Sequence, residues 1–155
     1  VKPLTTIAIA MLITAIATTA ALMADTLATK ITAKTGTIDL YLQTVTWTCG
    51  NRRTTVTYTP TKTGNTYTIQ INVNPPGGSS DSCTVQLTYE NTGTIPIKIY
   101  TTSSTSLISS DNTCTVTPTT TAQIHPGDTG TVEVSISCKG DCTCTATSTA
   151  KSWNQ

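Results

Sequence analysis

The 155-residue chain has no phenylalanine, one histidine, two tryptophans and only 11% charged residues. Each scarcity excludes something. Nine Lys and Arg stand against eight Asp and Glu, for a formal net charge of +1. Apart from the adjacent Arg52 and Arg53, the basic residues are scattered singly, so a nucleic acid would find no electrostatic footprint. His125 lies in IHPGDTG, directly before a Pro-Gly turn, and is read as a turn residue rather than a catalytic base. No G-x-S-x-G elbow, phosphate loop or dinucleotide fingerprint occurs. The acids Asp25, Asp39, Asp81, Glu90, Asp111, Asp128, Glu133 and Asp141 are dispersed, with none paired as a general acid and base would be. The expectation is a non-enzyme with no cofactor. Asn65-Thr-Tyr, Asn91-Thr-Gly and Asn112-Thr-Cys all fail as N-glycosylation acceptors, so any sugar would be O-linked.

Hydroxyls are what the chain has in excess: 40 Thr and 12 Ser. Thr is β-branched, loses rotamer freedom in a helix and suits a pleated surface. From Thr37 onward apolar residues recur with a period of two. In TIDLYLQTVTW, Ile38, Leu40 and Leu42 fall on one face and Tyr41, Val45 and Trp47 on the other. Further strand candidates cover residues 54–59, 66–73, 83–90, 95–101, 113–118, 130–137 and 144–149. Turn signals separate them: Gly64-Asn65, Asn74-Pro75-Pro76-Gly77-Gly78, Asn91-Thr92-Gly93, Asp111-Asn112 and Pro126-Gly127-Asp128. Seven or eight short strands so punctuated predict a β-sandwich. The Ser/Thr run at 102–111 is expected to be an exposed loop, and 101–111 and 117–121 are the expected O-glycan sites. Tyr41, Tyr58, Tyr67, Tyr89, Tyr100, Trp47 and Trp153 are read as core or cross-strand residues rather than a carbohydrate platform.

Six cysteines, Cys49, Cys83, Cys114, Cys138, Cys142 and Cys144, all follow the apolar N-terminal segment. An even count in a polar domain beside a membrane-type segment predicts three disulfides outside the cell, with the pairing open among 15 connectivities. Cys142 and Cys144 lie two apart, so on a strand they share a face and seek different partners. The competing use, a metal site at Cys138-x3-Cys142-x-Cys144, lacks the paired spacing and second histidine of zinc sites. No metal is expected.

Residues 3–24, PLTTIAIAMLITAIATTAALMA, hold no charge and run between Lys2 and Asp25. As a helix, these 22 residues would reach roughly 33 Å, enough to cross a bilayer. The chain opens directly on this run, which is therefore expected to belong to the mature protein. Helical periodicity is expected to continue to a cap at Gly36, with Lys30 and Lys34 favoured in the last turns. Small residues recur at helical spacing, Ala17 with Ala21 and Ala20 with Ala24 and Ala28, a pattern that lets helices approach closely. The fold class expected is thus α+β: a long hydrophobic N-terminal helix (1–35) followed by an Ig-like antiparallel β-sandwich with disulfides (36–155).

An uncharged N-terminal segment joined without a linker to phrases such as VQLTYENTGTIPIKIY and IHPGDTGTVEVSI resembles an archaeal type IV pilin. Thr5 stands where bacterial members carry an acid, which places the resemblance on the archaeal side. The resemblance implies processing by a prepilin peptidase, residence in the membrane before assembly, and export by pilus machinery. It further implies a homopolymer on the cell surface, used for adhesion. Its assembly residues would be Pro3, Leu4, Ile7, Ile9, Met11, Leu12, Ile13, Ile16, Ala17, Ala20, Ala21, Leu22, Ala24, Leu27 and Ala28. The same apolar face would trade lipid for neighbouring helices. AKTGTIDLYL is also similar to the early strand of camelysin-like biofilm fibre subunits, which polymerise by strand exchange. A monomeric membrane-anchored binding domain is the third reading.

Overall fold

The computed structural model describes residues 36–106 and 110–155. Eight strands follow in order: β1 (Leu40–Cys49), β2 (Thr55–Thr63), β3 (Thr66–Asn74), β4 (Ser80–Asn91), β5 (Ile97–Ser106), β6 (Thr113–Thr117), β7 (Thr129–Lys139) and β8 (Cys142–Ser152). They form two four-stranded sheets, β1-β4-β7-β6 and β2-β3-β8-β5, with every pairing antiparallel. A single 3-10 turn at Pro76–Gly78 is the only helical element among the described residues.

The α+β expectation is therefore corrected. The described chain is all-β, because Thr and other polar residues alternate with Val, Ile and Leu in most strands, and with Cys and Ala in β8. The long helix expected at 1–35, with the assembly residues Pro3 to Ala28, lies outside the described residues. The sandwich unit runs Thr37–Gln155. Its strand order also departs from the immunoglobulin pattern, in which the first strand pairs with the second; here β1 pairs with β4 and β3 with β8.

The core is built mainly from the alternate residues of five strands. Ile69, Ile71 and Val73 (β3), Val85, Leu87 and Tyr89 (β4), Ile97 and Ile99 (β5), and Val132, Val134 and Ile136 (β7) are buried between the sheets, with Cys144 and Ala146 of β8. The opposite residues of the same strands are Thr, Ser, Gln, Asn or Lys for the most part. Fully burying each large aliphatic side chain stabilises the fold by about 1.5–3 kcal/mol. The β2–β3 hairpin turns at Gly64, whose φ of 57° lies where a side chain would be strained.

Two local readings are corrected. The register of β1 on β4 slips between Leu42 and Thr44. After this bulge Val45 and Trp47 oppose the buried Leu87 and Val85, so they face the core side with Leu40 and Leu42 rather than the other side. The segment 102–111 is not one loop: residues up to Ser106 continue β5, paired with β8 to Ser106↔Thr143.

Candidate assembly surface

The two long rims of the sandwich are built differently. On one rim lie β5 and β6, with β7 and β8 beside them. Cys114 of β6 bonds Cys144 of β8, and Cys138 of β7 bonds Cys142 of β8. Both bonds join one sheet to the other. Segment 119–124 also lies along β5, with Thr101 N–H donating to Thr119 O at 2.8 Å, Thr121 N–H to Ile99 O at 3.0 Å and Ile124 N–H to Ile97 O at 2.9 Å. Inside this rim a buried hydroxyl chain runs from Tyr89 to Ser148 at 2.9 Å and on to Thr101 at 2.9 Å. Burial pushes the Tyr89 phenol up to about 12, partly offset by its bond to Ser148.

The other rim, between β1 and β2, has no bond of that kind. Its disulfide, Cys49–Cys83, joins β1 to β4 inside one sheet. Across the gap there are a Lys62–Asp39 ion pair at 2.8 Å and an edge-on contact of Trp47 with Tyr58, ring centroids 6.2 Å apart. The two aromatics, with Val45 and Pro60, are core-facing by parity. Tyr58 opposes buried Ile71 and Pro60 opposes buried Ile69, as Trp47 opposes Val85. Yet Trp47 is 44% exposed and Tyr58 39%, and Pro60 is exposed too. Val45 is half-buried beside them. This is an open seam: the flank of a hydrophobic core left facing water.

At one end of the seam Thr37 is held by Thr94, whose N–H donates to Thr37 O at 2.9 Å while Thr37 N–H donates to Thr94 Oγ1 at 2.8 Å. Asp39 there accepts from Lys62 and from Thr92 at 2.9 Å, and these bonds hold its carboxyl below the ordinary value. The 91–96 loop is fixed by buried Asn91. Its amide donates to Ile95 O at 2.9 Å and Ile124 O at 3.0 Å, and its Oδ1 accepts from Gly93 N–H at 3.0 Å. At the far end, Asp81 receives the 50–54 loop through Thr54 Oγ1 and Asn51 N–H, which lowers its carboxyl below the ordinary value. Asp81 also adjoins Cys49 and Cys83. Their sulfurs are bonded to each other, so they offer no thiolate to a metal. The cysteines of the competing metal reading, Cys138, Cys142 and Cys144, are likewise in disulfides.

All four sheet edges carry devices that discourage pairing with a stray strand. β1 has its bulge. β2 carries Pro60, which cannot donate, and Lys62 on its core-facing side. β5 is covered over part of its length by 119–124, and β6 has five residues and is followed by Pro118. The outer faces are hydroxyl arrays: β2 presents Thr55, Thr57, Thr59, Thr61 and Thr63, and β8 presents Thr143, Thr145, Thr147 and Thr149.

Of the aromatics read as core or cross-strand residues, Tyr67 and Tyr89 are buried in contact, 5.8 Å between centroids. Tyr41, Trp47, Tyr58 and Trp153 are exposed, Trp153 beneath Lys98 at 4.1 Å. His125 is exposed and its carbonyl accepts the turn bond from Asp128 N–H at 3.0 Å. No helix among the described residues is long and apolar enough to cross a membrane. Sequence reasoning missed the seam because it assigned Val45 and Trp47 the wrong parity. The available signal was a Gln43-Thr44 pair interrupting the alternation of TIDLYLQTVTW. No protein-family model, no curated protein and no solved structure matches this chain.

Proposed function

We propose that the chain is the structural subunit of an extracellular filament: a homopolymer of identical copies, adhesive at the cell surface, that associates through its apolar N-terminal segment. One observation carries this reading. In the sequence a run of 22 uncharged residues precedes a sandwich whose outer faces are hydroxyls and whose edges are blunted. The run must be withdrawn from water, in a membrane before assembly and against other copies afterwards. The three disulfides suit an oxidising exterior. Bulge, proline and inward lysine oppose open-ended growth by edge pairing of β1 or β2, which favours this reading over free strand addition at those edges.

The test is electron microscopy of the negatively stained full chain beside Ile13→Asp and Ala17→Asp. A charge in a water-free contact costs several kcal/mol without a partner, so the variants should lose filaments and keep oxidised sandwiches. Wild-type filament yields from both variants, or a wild-type chain that dissolves in detergent only as single copies and never assembles, would overturn the proposal.

A further inference from the structure

We infer that the outer face of β5 and β8 is a binding site for an acidic polysaccharide of low charge density, a chain of uronic sugars with one carboxylate per ring. This rests on the adhesive role proposed above, to which it gives a ligand class. The site is Lys98 and Lys151 with Tyr100 and Trp153, residues distant in sequence that the pairing of β5 with β8 brings together.

Lys98 and Lys151 are directly opposed in that pairing. Opposed side chains start about 5 Å apart at Cβ, where like charges repel. Neither lysine is in an ion pair, since Lys62–Asp39 is the one such pair among the described residues. The four strands of this sheet contain no Asp or Glu at all. Each ammonium lies over an aromatic ring instead, Lys98 Nζ at 4.1 Å from the centroid of Trp153 and Lys151 Nζ at 5.0 Å from that of Tyr100. A ring face offsets part of the repulsion, but it does not take up the three N–H donors of an ammonium as a carboxylate would. The pair is thus complementary to an anion.

Both rings are tied down. Trp153 N–H donates to Pro96 O at 3.1 Å, and the Tyr100 hydroxyl donates to Gln155 O at 3.3 Å. Trp153 therefore sits by Pro96, roughly four residues and about 13 Å along β5 from Tyr100, with the two lysines between. Trp153 and Lys151 are exposed, and Lys98 and Tyr100 half-buried. The rest of this face is hydroxyl. Thr102 follows Lys98 and Tyr100 by parity, Thr149 pairs its hydroxyl with Thr66 at 3.0 Å, and Thr120 bridges Tyr100 from the covering segment.

These groups select a ligand by what they supply. Rings offer flat apolar area to the C–H faces of sugars, threonine hydroxyls both donate and accept as sugar hydroxyls do, and ammoniums take carboxylates. A nucleic acid carries a phosphate on every nucleotide and calls for a run of basic groups, which two lysines in a chain of net charge +1 do not provide. A uronic sugar chain, mostly hydroxyl with sparse charge, matches all three.

The experiment measures binding of the detergent-dispersed full chain to immobilised polygalacturonate, its carboxyl-reduced neutral counterpart, dextran sulfate and single-stranded DNA. Polygalacturonate should retain the chain and the neutral polymer should not. The double variant Lys98→Gln, Lys151→Gln should raise the half-saturating concentration by at least about tenfold, as for losing two charge-assisted contacts. Lys98→Arg, Lys151→Arg should keep binding. Arg52→Gln, Arg53→Gln removes the same charge from the loop preceding Thr55, which pairs with Asn74 at the other end of the sheet, and should change nothing. Equal retention on the neutral polymer, preference for dextran sulfate or DNA, or equal losses in the Gln variants of the lysines and the arginines would overturn the site. Filaments that ignore polygalacturonate also overturn it and leave the homopolymer standing. A chain that binds through the two lysines yet never assembles upholds the site and overturns the homopolymer.

Discussion

Removing the three disulfides one pair at a time should rank them by loop length. Cys49–Cys83, Cys114–Cys144 and Cys138–Cys142 close sequence separations of 34, 30 and 4. Loop-closure entropy then assigns about 3.8, 3.7 and 2.1 kcal/mol to the three. Replacing both members of a pair by alanine also discards two sulfurs. Cys138, Cys142 and Cys144 are buried and Cys114 is half-buried, so the packing cost does not exceed that of the short-loop pair and the loop term sets the difference. The Cys114→Ala, Cys144→Ala variant should therefore lie about 1.6 kcal/mol below the Cys138→Ala, Cys142→Ala variant. For a domain of this size that is a difference of about 6 °C in Tm. Urea unfolding of the oxidised variants measures it, with hydrogen exchange reporting where each opens. Exchange in β6 should rise in the first variant, since β6 has only five residues and one sheet neighbour. If the short-loop variant is as destabilised as the long-loop one, chain entropy is not what these bonds supply.

Three further outcomes are expected. Asn91→Asp places a carboxylate against the carbonyls of Ile95 and Ile124, where the amide now donates at 2.9 and 3.0 Å. It should cost about 3 kcal/mol or more at pH 7 and less near pH 3, where the protonated acid donates once, as urea midpoints would show. Gly93→Ala would press a Cβ onto the backbone oxygen of Thr37 and nitrogen of Asp39, so it should destabilise by about 1–3 kcal/mol and release the Thr37–Thr94 bonds, visible as faster exchange at Thr94. Tyr89 keeps its proton to about pH 12 in the fold against about 10 unfolded. Its contribution is whole below pH 10 and falls by about 2–3 kcal/mol as pH rises to 12, a slope that Tyr89→Phe should abolish in alkaline urea titrations.

The strands were legible because the alternation that defines them is a backbone property, written locally wherever one face is buried. Candidates such as 66–73 and 130–137 lie within β3 and β7. What local pattern does not carry is register. The bulge between Leu42 and Thr44 inverts every later side chain of β1, so the aromatic that forms the seam was placed on the wrong face. The 102–111 run misled for a different reason. Hydroxyl-rich composition reads as a loop, yet Thr102 to Ser106 stay paired with β8 as far as Ser106↔Thr143, exposed and half-buried positions alternating as on any edge strand. The disulfide pairing depends on which sheet receives β6 and β8, a tertiary fact with no local trace.

Hydroxyls also answer how so weakly charged a sandwich stays specific. Among the described residues there is one ion pair, Lys62–Asp39, and both side chains are more than a third exposed, so it contributes little. Cross-strand hydroxyl pairs occur instead on both sheets: Thr66 with Thr149 at 3.0 Å, Ser82 with Ser137 at 2.8 Å, and Thr88 with Thr131 at 3.3 Å. Each joins directly opposed residues and is uncharged. A slip of one residue would exchange these pairs with the Val, Ile and Leu positions between them, burying hydroxyls and exposing aliphatics across a whole strand. The register is thus held from both sides of each sheet. Devices that need no net charge leave the outer faces without the mutual repulsion that a strongly charged coat would impose.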